Sequence, residues 1–226
     1  MTTQVEVSQS AVPPARIAFI GAGVMGAPMI RNLHKAGLPV VATDARAEAF
    51  APLGDAGIAT AADARAAVAG ADFVVTMLPD TPHVRAVLFG EDGIAEVLPK
   101  GAVVVDMSTI SASAVREMAE NLAERGVDLL DAPVSGGMKG AVAGTLSVMV
   151  GGRAAAFDRA LPVLKAMGTT IRHVGESGMG QVFKMCNQLM AASHIQAMCE
   201  AFALCRSFEG DLGLLREVLM LSLIHI

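Results

Sequence analysis

The sequence predicts an α/β fold in which a doubly wound, mostly parallel sheet is followed by a long helix that opens an all-α region. Short apolar runs rich in β-branched residues alternate with Ala-rich segments of helical periodicity, which favours parallel strands with helices on both faces. Closely spaced glycines follow the first apolar run, as is typical of a strand that turns sharply into a helix. Beyond residue 180 a stretch without glycine or proline indicates helix alone.

The predicted strands and helices follow one another along the chain. Predicted strands cover residues 17–20, 39–43, 73–77, 103–106 and 127–130, and two more lie within 146–152 and 171–175. Predicted helices cover residues 25–36, 61–69, 82–88, 111–125 and 154–167, and a long helix covers 181–208. The long helix is apolar on most faces, so we expect it to be buried between domains or subunits.

We divide the chain into three parts. Residues 1–15 lack the basic start and the apolar centre of a secretory signal and are expected to form a disordered leader. Residues 16–177 form the predicted α/β domain, and residues 178–226 begin an all-α C-terminal domain. Because little sequence remains to cover the apolar helix, we expect this second domain to be incomplete. Its apolar faces predict a homo-dimer or homo-tetramer of the full-length protein.

The composition argues against several classes of partner. The 226 residues carry a formal net charge of -5 and no run of Lys or Arg, which disfavours nucleic acid. The apolar stretches end before the roughly 18 to 20 residues that a membrane span requires. No histidine spacing indicates a metal cage, so no metal is predicted. Three cysteines lack disulfide or CxxC spacing and are expected to be buried thiols of a cytoplasmic protein, namely Cys186, Cys199 and Cys205.

The segment GAGVMG follows the first predicted strand and has G-x-G-x-x-G spacing. Gly21 permits a tight turn, Gly23 lets a pyrophosphate approach the backbone, and Gly26 allows the helix to pack closely on the strand. Free N–H groups at the helix start then bind the anion. The alternative is a glycine-rich turn that binds nothing. The predicted cofactor-binding residues of this turn are Gly21, Ala22, Gly23, Val24, Met25 and Gly26.

A second signal, Asp44, favours a dinucleotide and hence a Rossmann-like domain. Asp44 ends the next predicted strand, about twenty residues beyond the glycines, where a carboxylate accepts hydrogen bonds from a ribose hydroxyl. A carboxylate there repels a 2′-phosphate, so NAD is predicted over NADP. Arg46 keeps NADP open, because a basic side chain can support that phosphate; its alternative role is a solvated residue at a helix start.

Further polar and apolar residues follow the later strands, at the sheet edge where α/β proteins bind ligands. Leu78 and Pro79 are candidates for a wall beside the cofactor. Thr109 is a candidate hydrogen-bond donor near the nicotinamide, although it also fits an ordinary cap of the helix that follows.

The segment DAPVSGGMKGAVAGTL, residues 131–146, is rich in glycine and lies between two predicted strands. Backbone N–H groups freed by glycine and the Ser135 hydroxyl predict a donor-rich hollow suited to a carboxylate. The alternative is a flexible connection. We favour the hollow, because a loop that needs glycine only for turning would rarely use so many.

Lys184 interrupts apolar neighbours at the start of the long helix. An isolated lysine of this kind usually extends to water. At a junction between a nucleotide domain and a helical domain, however, a partly desolvated ammonium has a lowered pKa and can exchange a proton with a reacting oxygen. We therefore predict Lys184 as the proton donor, with the amides of Asn187 and Gln188 on the same helix face.

Three segments together resemble the β-hydroxyacid dehydrogenase family. They are FIGAGVMGAPMIRNLHKAG for the cofactor, DAPVSGGMKGAVAGTLSVMVGG for the substrate and GMGQVFKMCNQ for catalysis, and the likeness covers residues 17–203. The resemblance implies an NAD(P)-dependent oxidoreductase that interconverts a short 3-hydroxy acid and its semialdehyde, of the tartronate semialdehyde or 3-hydroxyisobutyrate type. Its substrate is then a small carboxylate-bearing molecule.

The resemblance also implies roles for individual residues. Lys184 matches the catalytic lysine of the family. The positions that hold the substrate carboxylate are matched by Ser135, Gly136 and Gly137, and the amide pair beside the lysine by Asn187 and Gln188. The positions that contact the cofactor are matched by Leu78, Pro79, His83 and Thr109.

Two other functions remain open at this stage. A non-catalytic dinucleotide-binding sensor or scaffold keeps the glycine turn and loses turnover. An enzyme of the same fold that acts on imines is disfavoured, because Lys184 stands where such enzymes usually carry other residues.

Overall fold

The computed structural model describes residues 15–54 and 56–223. The predicted leader, residues 1–15, lies outside the described residues except for Ala15. The strands are β1 Ile17–Ile20, β2 Val40–Thr43, β3 Ala59–Thr60, β4 Phe73–Thr76, β5 Val103–Asp106, β6 Asp128–Asp131, β7 Val134–Ser135, β8 Leu146–Gly151 and β9 Gly168–Gly175.

The helices alternate with these strands. They are α1 Gly26–Lys35, α2 Ala51–Gly54, α3 Ala64–Ala67, α4 Thr81–Phe89, α5 Ala112–Ala123, α6 Gly137–Ala143, α7 Ala154–Lys165, α8 Met179–Ser207 and α9 Leu212–Leu223, and a 3₁₀ turn covers Ala47–Phe50.

The sheet is parallel from β3 to β6, in the order β3-β2-β1-β4-β5-β6. Beyond β6 the direction changes, because β8 pairs antiparallel with β6 and β7, and β9 pairs parallel with β8. The predicted mostly parallel, doubly wound sheet is therefore confirmed. The chain first builds outward from β1 to β3 and then continues with β4 on the other side of β1, so the strand order reverses between β1 and β4. A crevice at the carboxyl ends of strands at such a reversal is where open α/β sheets bind ligands.

Strand β1 shows why the central runs are apolar without alternation. All four of its residues are buried, since helices cover both faces of the sheet. Phe19 packs into the core on one face and Ile20 into the core on the other, as successive side chains of a strand must. A continuous apolar run is thus what two cores require.

Several short elements were absent from the sequence prediction. Strand β3 has only two residues, and the segment 131–146 contains both β7 and α6. A two-residue strand is too short to show an alternating pattern. The glycines of α6 argue against a helix by propensity, and its packing against α1 overrides that preference.

The described chain divides into two compact units, with the boundary after Lys184 inside helix α8. In the second unit of the single chain, Leu189 and Phe208 are 69% and 81% exposed, and the predicted burial of the long helix between domains or subunits stays a prediction. Cys186 and Cys199 are exposed as well. An apolar composition predicts that a helix packs against another surface, but it does not say which surface that is. None of the helices in the described ranges is long and apolar enough to cross a membrane.

Candidate active site

The predicted cofactor residues lie at the carboxyl edge of the parallel strands. The glycine turn follows β1, Asp44 follows β2, Leu78 follows β4 and Thr109 follows β5. Parallel strands end at one edge of a sheet, so residues separated by many positions in sequence are brought to the same edge.

The glycine turn interlocks β1, α1 and the end of β4. Gly21 has φ 103°, and a Cβ on it would overlap the Met77 carbonyl oxygen and lie 3.2 Å from the Leu78 side chain. A Cβ on Gly26 would overlap the Gly21 carbonyl oxygen. Both positions therefore require glycine. Between them Ala22 is buried and Gly23 is half-buried. Val24 and Met25 precede α1, with Val24 73% exposed.

Asp44 connects the glycine turn to Arg46, for which the sequence left two roles open. Its Oδ2 accepts the Ala22 N–H at 2.8 Å, and its Oδ1 accepts the Arg46 N–H at 2.9 Å and the Arg46 Nε–H at 3.1 Å. Burial by itself would raise the pKa of Asp44, but the hydrogen bonds from Arg46 and Ala22 outweigh it and lower that pKa. Arg46 is exposed and directly precedes the 3₁₀ turn, as its alternative role at a helix start predicts, and its guanidinium also pairs with Asp44.

The loops after β4 and β5 place the other predicted cofactor residues. Leu78 is half-buried, whereas Pro79, His83 and Thr109 are exposed. Asp80 caps α4, and its Oδ1 lies 2.6 Å from His83 Nδ1.

The alternative role of Thr109 as a helix cap is wrong. Ser111 is the N-cap of α5, and its side chain accepts the Ala114 N–H. The Thr109 side chain is therefore not used by the helix.

Lys184 is buried, with 8% of its surface exposed. Burial lowers the pKa of its ammonium. Across residues 15–54 and 56–223, no hydrogen-bond or ion-pair partner of the Lys184 ammonium is found. The amine is thus partly desolvated and available to a ligand.

Asp131, at the end of β6, fixes the start of the helix that carries Lys184. Its Oδ1 accepts the Gly178 N–H at 2.8 Å and its Oδ2 accepts the Gln181 N–H at 2.9 Å. Burial raises the pKa of Asp131 to about 6, against the lowering effect of these hydrogen bonds.

Asp106 pairs with Asp131 across β5 and β6. It accepts the Thr76 hydroxyl at 2.7 Å through Oδ1. Its Oδ2 is the one buried side-chain N or O atom without a hydrogen-bond partner in the part of the chain that the structure describes. Burial raises the pKa of Asp106, which favours its neutral form.

The predicted substrate segment is ordered as strand and helix, so the alternative of a flexible connection is wrong. Ser135 ends β7, Gly136 is the N-cap of α6 and Gly137 is its first residue. The first N–H groups of a helix have no acceptor within it, and they add to the donors predicted here. Asn32 of α1 donates to the Ala141 carbonyl at 2.7 Å and holds α6 in place.

Asn187 and Gln188 belong to the second unit. The Asn187 Nδ2 donates to the Gln188 Oε1 at 3.1 Å. Their predicted role beside Lys184 stays a prediction.

Three buried polar residues at this edge were not predicted as site residues, namely Ser108, Asp131 and Gln181. Ser108 Oγ accepts the Leu78 N–H at 2.9 Å, and the Gln181 side chain bonds the backbone on both sides of Thr109. The available signal was a polar residue within an apolar strand end or helix start, since such residues are rarely buried without a specific partner.

Two family models match the chain. The model described as the NAD binding domain of 6-phosphogluconate dehydrogenase matches residues 16–175. The model described as the NAD-binding domain of NADP-dependent 3-hydroxyisobutyrate dehydrogenase matches residues 178–224.

Named relatives and a solved structure agree with these models. The chain is 46% identical over 189 residues to the NAD-dependent L-serine dehydrogenase of Pseudomonas aeruginosa, covering 84% of this chain and 63% of that protein. It is 42% identical over 207 residues to the 2-hydroxy-3-oxopropionate reductase of Escherichia coli, covering 91% of this chain and 70% of that protein. The Mycobacterium tuberculosis 3-hydroxyisobutyrate dehydrogenase, solved with L-serine, superimposes with a TM-score of 0.87 at 39% identity, covering 92% of this chain and 71% of that one.

The chain spans 63% and 70% of the length of the two named relatives. The matches nevertheless include the glycine turn, the Ser-Gly-Gly segment and the start of α8 in the same order. The chain belongs to the β-hydroxyacid dehydrogenase family and carries its NAD(P)-binding domain.

Proposed function

We propose that this protein is an NAD(P)-dependent oxidoreductase that interconverts a short 3-hydroxy acid and its semialdehyde, with Lys184 as general acid and base. The observation that carries the proposal is the partly desolvated ammonium of Lys184, which lies on the helix anchored at the sheet edge of the glycine turn. The named relatives act on L-serine and 2-hydroxy-3-oxopropionate, which are both short and carry a carboxylate.

The residues present suit a dinucleotide. A Cβ on Gly23 would meet nothing closer than Arg46 Nη2 at 3.5 Å, so the backbone of the turn can be approached from outside. Helix α1 begins directly behind that turn and directs its first N–H groups at a pyrophosphate. When bound, the nicotinamide supplies or accepts the hydride. We propose a preference for NAD over NADP, because the Asp44 carboxylate stays ionised at the end of β2.

The chain's own residues perform the rest of the reaction. The Ser135 hydroxyl and the N–H groups at the start of α6 hold the substrate carboxylate, and Asn187 and Gln188 hold its polar remainder. In reduction, Lys184 Nζ donates a proton to the carbonyl oxygen and stabilises the negative charge that develops there. In oxidation the neutral amine takes the proton from the hydroxyl, which its lowered pKa favours.

We also propose a cytoplasmic homo-dimer or homo-tetramer. Free cysteines at positions 186, 199 and 205 suit a reducing compartment. Large apolar side chains of α8 and α9 are exposed in the single chain, among them Leu204 at 62% and Leu221 at 76%. Light scattering after gel filtration measures the subunit number, and a monomer at micromolar concentration would refute that part.

Turnover tests the proposed reaction. NAD⁺ with L-serine, glycerate or 3-hydroxyisobutyrate, and NADH with the matching semialdehydes, are followed by absorbance. Lys184→Ala is expected to lower kcat by about 10²- to 10⁴-fold, the usual contribution of a general acid, and to leave NADH affinity within about twofold. Lys165→Ala, an exposed lysine of α7, is the matched control. Full turnover by Lys184→Ala would contradict the proposal, and NADH binding without any turnover would favour a non-catalytic binding protein.

A further inference from the structure

The buried polar side chains of the first unit gather where β4, β5 and β6 end and α8 begins. Thr43 apart, the buried polar residues of the described chain are Thr76, Asp106, Ser108, Asp131, Gln181 and Lys184. Gln181 connects this group, because it contacts two strand ends through its side chain and its backbone. Its role is not explained by the binding of cofactor or substrate.

The Gln181 amide binds the backbone on both sides of Thr109. Its Nε2 donates to the Ser108 carbonyl at 2.9 Å and its Oε1 accepts the Ile110 N–H at 3.1 Å. Only one orientation of the amide satisfies both groups, since the carbonyl needs a donor and the N–H needs an acceptor. We call residues 108–110 the Thr109 turn. The amide fixes both of its peptide groups while the Thr109 side chain stays exposed.

The Thr109 turn is in contact with the loop after β4 as well. Ser108 Oγ accepts the Leu78 N–H at 2.9 Å, and the Ser108 N–H donates to Asp106 Oδ1 at 3.2 Å. A displacement of Gln181 therefore reaches Leu78 through Ser108. Both loops carry predicted cofactor-binding residues.

Gln181 and Lys184 lie one helical turn apart on the buried face of α8. The buried residues of this helix are Gly180, Gln181 and Lys184, and side chains at i and i+3 share a face. The Asp131 carboxylate accepts the Gln181 N–H at 2.9 Å, so the backbone at this residue is held independently of the side chain. The same helical turn is thus fixed to β6 by its backbone and to the Thr109 turn by its amide.

We propose that Gln181 is a positioning residue, whose amide sets the distance and orientation between the Lys184 ammonium and the Thr109 turn beside the cofactor. This proposal rests on the proposed function above. Loss of the amide leaves α8 attached through Asp131 but lets the Thr109 turn and the helix separate. Water then reaches Lys184, and the proton donor no longer meets the substrate oxygen in a fixed place.

The first test removes both amide hydrogen bonds with little change of volume, in Gln181→Met. The Lys184 pKa is measured by NMR of protein labelled at lysine Cε, with the signal assigned by Lys184→Arg. The pKa is expected to rise toward the ordinary lysine value, because the ammonium becomes hydrated. Gln196→Met is the matched control, since Gln196 also lies on α8, is exposed, and donates through its side chain to Glu200 at 2.7 Å. An unchanged Lys184 pKa in folded Gln181→Met would overturn the proposal.

The second test uses turnover. A misplaced general acid is expected to lower kcat of Gln181→Met on the order of 100-fold, with KM for NADH changed less than about threefold. Gln181→Glu provides rescue by pH, because a protonated carboxyl donates to Ser108 and accepts from Ile110, whereas the ionised form only accepts. Its kcat is expected to match Gln181→Met at high pH and to approach the wild type at low pH.

Other ionisable groups face this position, so each comparison is made with the wild type at the same pH. Among the described residues they include Asp131, which accepts the Gln181 N–H, and Lys184 on the same face of α8. Asp106 is connected to Gln181 through Ser108. If the kcat of Gln181→Glu were lowered by the same factor at every pH, the proposal would be overturned. This test does not require that Gln181→Met folds. If the wild type turns over none of the substrates, the proposed function fails, and the NMR titration alone decides the role of Gln181.

Discussion

Asp44 and Asp131 are the same residue type at the same edge of one sheet, and their surroundings give them opposite properties. Asp44 follows β2 and is paired with the Arg46 guanidinium at 3.1 Å, which contributes to its lowered pKa. Asp131 ends β6, is fully buried and accepts backbone N–H groups at the start of α8. Its pKa is raised to about 6 by burial.

The difference shows how one sheet edge serves two purposes. At the β2 end, the Asp44 carboxylate is paired with an exposed guanidinium and keeps its charge, and such a charge can discriminate between ligands of different charge. At the β6 end, a carboxylate removed from water orders the helix that carries Lys184. The β2 end thus suits contact with a charged ligand, and the β6 end fixes the position of the helix that carries Lys184.

The largest expected effect is on the pH dependence of stability in Asp131→Asn. A folded-state pKa above the unfolded value means that the native state binds this proton more tightly. Asp131 therefore stabilises the folded state fully below the ordinary aspartate pKa, and this stabilisation is lost as the pH rises to about 6. Between about pH 4 and about pH 7, this effect should lower the free energy of unfolding of the wild type by about 3 kcal/mol. Asp131→Asn should not show this decrease. Urea unfolding of both proteins at each pH measures the difference.

Asparagine also gives up one acceptor, which lowers stability at every pH, so the slope is the test. Val150→Ala, a cavity substitution in a buried part of β8, is the control and should run parallel to the wild type. If the free energies of unfolding of Asp131→Asn and the wild type changed in parallel with pH, the raised pKa of Asp131 would be contradicted.

Gly180→Ala and Gly23→Ala distinguish a glycine required by packing from a glycine predicted to contact the cofactor. A Cβ on Gly180 would lie 2.5 Å from the Asp131 and Met149 carbonyl oxygens, so Gly180→Ala should cost about 2 kcal/mol of unfolding free energy through overpacking. Gly23→Ala should change that free energy by less than about 0.5 kcal/mol, since its neighbour Arg46 is at ordinary contact distance. It should nevertheless weaken NADH binding by about 10- to 100-fold, because the added methyl group occupies the approach to the backbone. Equal loss of stability in both variants would contradict this contrast.

Asp44→Asn tests discrimination by charge. Removal of the carboxylate abolishes its repulsion of a 2′-phosphate and leaves the Arg46 guanidinium to attract it. The ratio of NADPH to NADH affinity is expected to rise at least about tenfold, which corresponds to about 1.4 kcal/mol. Fluorescence titration with both cofactors measures the ratio. An unchanged ratio would show that Asp44 has no part in selecting the cofactor.

The smallest expected effect is that of Arg46→Gln on stability. The Arg46 side chain is 58% exposed, and solvent screens an exposed ion pair so strongly that it adds little to stability. The pKa of Asp44 should still rise, because the hydrogen bond and the charge of the arginine are lost while burial remains. NMR titration of the Asp44 carboxyl measures it. Arg85→Gln, which breaks the surface pair with Glu117, should leave the Asp44 pKa unchanged.

Local patterns predicted the main elements and the sheet edge that we propose as the ligand site. Strands β1 and β5 have the predicted bounds, because continuous apolar runs of this length have no other stable place than a sheet covered on both faces. The glycine turn was predicted in detail, since its constraint is steric and acts within a few residues. The short elements β3 and α6 were missed, because their conformation depends on the elements that they pack against.

The sequence by itself determined the order of strands and helices, the glycine turn, Asp44 and the exceptional position of Lys184, since periodicity and backbone sterics act over short distances. Only the tertiary structure decided that Arg46 pairs with Asp44, that Asp131 instead accepts backbone N–H groups at the start of α8, and that Gln181 bonds a turn more than seventy residues earlier in the chain. Hydrogen bonds and pKa shifts depend on groups a few ångströms away in space, and the distance between two residues in space is not written in their separation along the chain.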